Sequence, residues 1–382
     1  MLPETFTVKD IEKLGKDRAF TEGFTLDLSS DCSDCMIVTA LSRYYGKEAP
    51  TICFFLVEKE KECFLYRSHS YAMGREGEWT RQQWRVPPMW HPSLIARIRV
   101  EIPKGTRLCL SDFHNHYENG ARPWLESGPR HNAHLGFLGA APSNSRRAVE
   151  LAAQCGFSSC IVNPKETLDG HLVCWHDSTI NKLAMNEKGE RIWDNSDYPP
   201  LKISQMTLEE LRKWELGAYR HPLFADSHVL LMEDAFRIMA KTGIYPMFST
   251  HPAPSDAAWE KVKDMLLRYG LTGRFHVKSF KLPILEKAYS VFGDTIDGYT
   301  WDNGNVEEFK ASSLYGANCR LGIELNKADM TKEKAREILD AGFFAAVYGL
   351  KEQVCYREIE ELMSWGITEF TEDHHCSMGL NW

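Results

Sequence analysis

From residue 131 onward, short apolar runs alternate with amphipathic stretches, and this alternation constrains the fold more than any other feature. Strand-like runs fall at 132–136, 159–163, 245–250, 274–280, 296–301, 320–325, 344–348 and 368–371. Helix-like stretches lie between them at 145–155, 230–242, 257–269, 283–291, 307–315, 332–341 and 352–365. Ser255 is a good N-cap, and Gly156, Gly243, Gly270, Gly342 and Gly366 are good C-terminal stops. Strand–helix alternation builds parallel sheets, and eight such units in roughly 250 residues make a (β/α)8 barrel. The expected fold class is therefore α/β, a TIM barrel, with residues 183–227 as an excursion over its top face.

Residues 1–125 carry a different pattern. Short alternating or apolar runs occur at 23–28, 36–41, 51–57 and 62–66, and only 8–14 has a helical pattern. The clearest strand is 95–102, IARIRVEI, in which apolar side chains alternate with charged ones as a half-buried strand requires. Pro103-Lys104-Gly105 then turns the chain into another alternating run at 106–113. Such strands with turns between them suggest an antiparallel β-sandwich. The expected domains are a sandwich accessory domain at 1–125 and the barrel at 126–382, with a turn-rich linker at 114–130. That linker holds His114-x-His116. Residues two apart share a face of an extended chain, so such a pair can chelate metal; solvated or interface histidines are the plainer account.

Composition narrows the function. Of 382 residues, 43% are hydrophobic and 26% charged, and the net charge is -8. This is an ordinary globular composition, and the acidic balance argues against general nucleic-acid or membrane-surface binding. The eleven cysteines have no regular spacing, and Cys32-x-x-Cys35 lacks the second pair that would complete a zinc site. Buried apolar cysteines in a reducing setting are expected rather than a disulfide framework. No basic segment followed by an apolar one opens the chain, and no run reaches membrane length. A cytoplasmic location without a membrane span is expected; a mature secreted form would look the same apart from its first Met. The eleven Trp residues would suit glycan contacts, with burial as the plainer account.

The stretch 134–177 reads HLGFLGAAPSNSRRAVELAAQCGFSSCIVNPKETLDGHLVCWHD. It resembles the first βαβ unit of the glycerophosphodiester phosphodiesterases. In that family His-Arg-Gly opens the barrel, Glu-Asn starts the first helix, and Glu-x-Asp lies on the second strand. Lys-Asp-Gly then leads to His-Asp. The matching positions are His134-Leu135-Gly136, Ser143-Asn144, Ile161-x-Asn163, Leu168-Asp169-Gly170 and His176-Asp177. The close of the barrel, Trp365 through Asp373, is similar to the family's Gly-Val-Asp-Gly-Ile-Ile-Thr-Asp. The resemblance spans residues 131–373.

It implies that His134 and His176 are the catalytic acid–base pair of a phosphodiester cleavage, one taking a proton and the other giving one. In the family, carboxylates on the second and third strands hold Mg²⁺ or Ca²⁺. Here Ile161, Asn163 and Ser249 stand at those positions, and His251 stands at the following Lys, so no cofactor metal is expected. Lys278 is the expected cationic substitute, with Lys165 next; another metal could use Glu324, Glu369 or Asp373. Leu135 replaces the family's Arg and removes a phosphate clamp. Asn144, Asn163, His251 and Lys278 are the expected substrate-binding residues.

Two functions compete. One is a divergent, metal-independent phosphodiesterase or phosphotransferase acting on a small-molecule glycerophosphodiester-like substrate, with a substrate hydroxyl as the easier nucleophile. The other is a catalytically degenerate barrel that binds a glycan or a partner. A metal amidohydrolase built on His114 and His116 is a distant third.

Overall fold

The structure is a computed structural model and describes residues 4–14, 17–28, 35–58, 61–67, 74–86, 94–118, 129–186, 188–194, 198–250, 253–350 and 356–373. Its N-terminal part is a sandwich of two sheets. One sheet has the order Glu4–Thr7, Phe24–Leu28, Leu94–Glu101, Thr51–Glu58, Lys61–Arg67. The other has the order Arg18–Phe20, Arg107–Glu118, Cys35–Tyr45, Thr80–Val86. The pattern in 95–102 does what it predicts. Ala96, Ile98 and Val100 are buried, while Arg97 faces outward to Asp27 at 2.7 Å. Phe20 stacks on Phe24 with centroids 4.3 Å apart, closing one edge of the core.

Two details correct the expected sandwich. Glu4–Thr7 pairs parallel with Phe24–Leu28, so the sheets are not wholly antiparallel. The expected linker also begins too early. His114 pairs with Thr39 and His116 with Ile37 inside the long strand Arg107–Glu118. Its neighbour Cys35–Tyr45 supplies the missing ladder hydrogen bonds, which a reading of local turn formers does not see.

The eight expected barrel strands all form and close in chain order. They are Arg130–Ala133, Ser159–Val162, Tyr245–Ser249, His276–Ser279, Gly298–Trp301, Arg320–Asn326, Phe344–Leu350 and Ile367–Glu372. Every pair is parallel, and Arg130–Ala133 pairs with Ile367–Glu372 to seal the cylinder. No described strand belongs to both a sandwich sheet and the barrel. Buried apolar residues nonetheless run as one cluster through both parts.

Capping explains where the helices start. Ser145 accepts from Ala148 N ahead of Arg146–Gln154, and Ser255 accepts from Ala258 N ahead of Asp256–Arg268. Each satisfies a backbone donor that the first turn leaves open. Gly243 ends Met232–Thr242 with φ +78°, a conformation that favours glycine. The excursion after the second strand carries a small core, including Ala184, Ile192, Ile203, Leu211 and Leu216, shared with Trp175 just before it. It is therefore packed structure rather than a loose loop. Among the described residues no helix is long and apolar enough to cross a membrane. Cys53, Cys109, Cys155, Cys160, Cys174 and Cys319 are free thiols, and burial pushes the Cys160 thiol up to about 12. Cys32 lies outside the described residues.

Candidate active site

Chemistry in a barrel of this type is built at the C-terminal ends of the strands. His134 directly follows the first strand, and Asp373 directly follows the last. These strands are neighbours, and the His134 N–H donates to Glu372 O at 3.0 Å. The imidazole Nδ1 lies 2.6 Å from Asp373 Oδ1. The carboxylate accepts a hydrogen bond from Nδ1–H, which favours that tautomer and leaves Nε2 for other work. The His134 side chain is 38% exposed and Asp373 17%. His176, past the second strand, repeats the arrangement with Asp177 Oδ1 at 2.7 Å and 56% exposure.

The loop after His134 is strained. Leu135 has φ +53° and Asn144 φ +54°, a region that costs a non-glycine residue roughly 1–2 kcal/mol. The two are joined by Asn144 N donating to Leu135 O at 2.7 Å. Gly136, φ +77°, passes so near the first helix that a Cβ there would meet Ala148 Cβ at 2.6 Å. The result is a tight loop that presents His134.

Asn144 and Asn163 come together as an amide pair. Asn144 Nδ2 donates to Asn163 Oδ1 at 3.2 Å, and Asn163 Nδ2 donates to Ser249 O at 2.9 Å. Both asparagines are buried. This bears on the metal of the phosphodiesterase plan, whose ligands would stand at 161, 163 and 249. Ile161 offers only carbon. The Asn163 oxygen accepts from Asn144, and the backbone oxygen of Ser249 accepts from Asn163. That donor set does not fit a hard divalent cation, which seeks several anionic oxygens. Among the described residues no three His, Cys, Asp or Glu gather as a metal site. His251 lies outside the described residues.

Lys278 is brought into a buried cluster rather than to the site's surface. It is 6% exposed, its ammonium contacts Glu324, and Asp302 Oδ1 lies 3.7 Å away. Glu324 also accepts from the Thr371 hydroxyl at 2.6 Å. Burial works against the Lys278 charge, but Asp302 and Glu324 outweigh it and hold the ammonium above the lysine range. Burial likewise opposes charge on Glu324, and Lys278 overcomes it, so this carboxyl stays below its ordinary value. Asp302 differs. Burial drives its carboxyl well above the ordinary range against the pull of Lys278, and neither of its oxygens has a hydrogen-bond partner.

The sequence assigns no role to Asp302 or Thr371, and Asp373 enters there as a candidate ligand and the end of the closing motif. The period-2 rule would have found them. Positions 300 and 302 share one face of the fifth strand, and 369, 371 and 373 share one face of the eighth. Of the remaining expected residues, Glu369 serves the opposite end of the barrel, bonded to Arg320 and Asn132. His114 sits on the sandwich, bonded to Thr39 Oγ1 at 2.9 Å. Nothing is described of the His116 side chain.

No protein-family model matches the sequence, and no curated protein matches it. Solved structures do match. A protein of Silicibacter pomeroyi, provisionally described as a glycerophosphoryl diester phosphodiesterase, aligns with TM-score 0.54 and 18% identity over 65% of this chain and 90% of that one. An Oleispira antarctica phosphodiesterase, solved with the product sn-glycerol-3-phosphate, aligns with TM-score 0.53 and 16% identity over 65% and 94%. A glycerophosphodiester phosphodiesterase of Agrobacterium tumefaciens aligns with TM-score 0.52 and 16% identity over 64% and 96%. The chain thus carries, behind its β-sandwich, the barrel fold of the glycerophosphodiester phosphodiesterases.

Proposed function

We propose that the chain is a phosphodiesterase or phosphotransferase in which His134 and His176 act as the acid–base pair without a divalent metal. The observation that carries this reading is the His134–Asp373 pair, a half-exposed imidazole held by a carboxylate at the catalytic end of the barrel. Such a dyad orients a ring nitrogen to accept or give a proton. The His176–Asp177 pair supplies the second ring. One imidazole removes the proton of a hydroxyl on the substrate's own alcohol. That oxygen attacks phosphorus, the bond to the other alcohol breaks, and the second imidazole protonates the departing oxygen. The products are a cyclic phosphate and a free alcohol. The glycerol-phosphate product held by one solved neighbour supports a small glycerophosphodiester-like substrate.

The experiment is turnover of glycerophosphodiesters and lysophospholipids by wild type, His134→Ala and His176→Ala, with thermal melts alongside. Each variant should lose roughly 10²–10⁴-fold in kcat with little change in melting. Equal activity in all three removes these histidines from the mechanism.

A second reading, a barrel that binds without turning over, is favoured by Ile161 and by the closed Asn144–Asn163 amide pair at the positions of the family's ligands. Wild type inactive on every phosphodiester would select it.

A further inference from the structure

Phosphodiester chemistry without a metal needs positive charge at the phosphate, and the interior lysine does not provide it. Lys278 is buried against Glu324 with Asp302 at 3.7 Å, so two carboxyl groups face one ammonium. Lys165 stands differently. It lies on the short strand Pro164–Glu166, just past Asn163, and lines a cavity of about 200 Å³. The cavity forms where three segments from the C-terminal side of the barrel meet. These are the hairpin of Pro164–Glu166 with Leu172–Cys174, the excursion at Ser178 and Ser204, and the turn at Ser255. Ser178, Ser204 and Ser255 therefore share its wall with Lys165, while Leu172 is an apolar and Glu166 an acidic lining residue. An ammonium and several hydroxyl donors around one small space complement phosphoryl oxygens.

The cavity is also tied to the proposed acid–base machinery. Asp177 holds His176 at 2.7 Å. The same Asp177 is the charge that opposes the burial of Lys165. Burial is the larger effect and holds the Lys165 ammonium below the lysine range. An added anion beside it would favour the charged form.

We infer that Lys165, with the hydroxyls of Ser178, Ser204 and Ser255, binds the phosphoryl oxygens of the substrate, while Glu166 receives hydroxyls of the esterified polyol. The inference rests on the phosphodiester reading for the identity of the substrate; the anion site itself is measurable without turnover.

The test is calorimetric titration of the full chain with inorganic phosphate, for wild type, Lys165→Met, Lys165→Gln and Lys165→Arg. Melting curves confirm folding, and kcat and KM on a glycerophosphodiester are measured for each variant. Loss of a charge-assisted hydrogen bond should weaken phosphate binding about tenfold or more in the Met and Gln variants. The Arg variant should recover most of that loss, and in turnover KM should rise more than kcat falls. Equal phosphate affinity in wild type and both neutral variants overturns the inference, as does absence of phosphate binding to wild type at about 10 mM. The two readings fail separately. An inactive wild type whose phosphate binding still depends on Lys165 refutes the enzyme and keeps the anion site. Turnover and phosphate binding that both ignore Lys165 do the reverse.

Discussion

At the N-terminal end of the barrel interior Asp297 accepts hydrogen bonds from three cationic or imidazole side chains, whereas at the C-terminal end Asp302 accepts none. Arg130 reaches Asp297 at 2.6 and 3.0 Å, His276 at 3.0 Å and Arg320 at 3.3 Å. Arg320 continues to Glu369, whose other oxygen takes the Asn132 amide, and Ser159 donates to Asn132 at 2.6 Å. The opposite end combines Asp302, which reaches Lys278 only at 3.7 Å, the strained Leu135 and Asn144, and half-exposed histidines. Both ends bury charge. The N-terminal carboxylates are satisfied by side-chain donors, which fits a structural role, while at the C-terminal end Asp302 lacks a hydrogen bond and the backbone beside His134 is strained.

The largest stability effect should come from breaking the satisfied end. Asp297→Ala leaves Arg130, Arg320 and His276 without their shared carboxylate, and loss of one partner from a buried ionic group costs about 3–5 kcal/mol. Urea denaturation should show a midpoint shift of that size, and a change within experimental error would deny the network its structural role. The effect also has a pH signature. Burial raises the Asp297 carboxyl, but His276 and Arg130 outweigh it and hold it well below the ordinary range. A depressed folded value means the contribution is complete above an unfolded value of about 3.9 and is lost as pH falls toward the folded one. The wild-type advantage over Asp297→Asn should thus be level near neutrality and shrink below about pH 4.

The smaller effect belongs to the unsatisfied end and has the opposite sign. The folded value of Asp302 is raised by burial, so its favourable contribution is complete below the unfolded value of about 3.9. It is lost as pH rises toward the folded value, because folding must then keep the carboxyl protonated or bury its charge. Asp302→Asn should melt at the same temperature as wild type or a few degrees higher at pH 7, by roughly 2–4 °C per kcal/mol recovered. The gap should close toward pH 4. A large loss of stability at pH 7 would show that Asp302 supports the fold, and the contrast between the two ends would fall.

The barrel was legible because its signals are local. Strand period, Ser255 at an N-cap and Gly243 after a helix each report on a few neighbouring residues. The sandwich was only partly legible. Thr80–Val86 escaped because its inward face carries Thr80 and Gln82 beside Trp84 and Val86, and Gln82 is satisfied across the sheet by Ser42. A buried polar residue with a distant partner hides the apolar alternation. The site shows the same limit. His134 could be found from its motif, but its partner Asp373 is 239 positions away. The locking of Lys278 likewise depends on Asp302 and Glu324, which chain closure alone brings to it.

The central claim is acid–base catalysis by two carboxylate-held histidines with no divalent metal, and turnover in a chelator tests it most directly. Glycerophosphodiester cleavage by the purified chain should be unchanged in EDTA and unchanged again when Mg²⁺ or Ca²⁺ is added. Activity that EDTA abolishes and either metal restores would contradict the account, and would mean that the residues at 161, 163 and 249 have been misread.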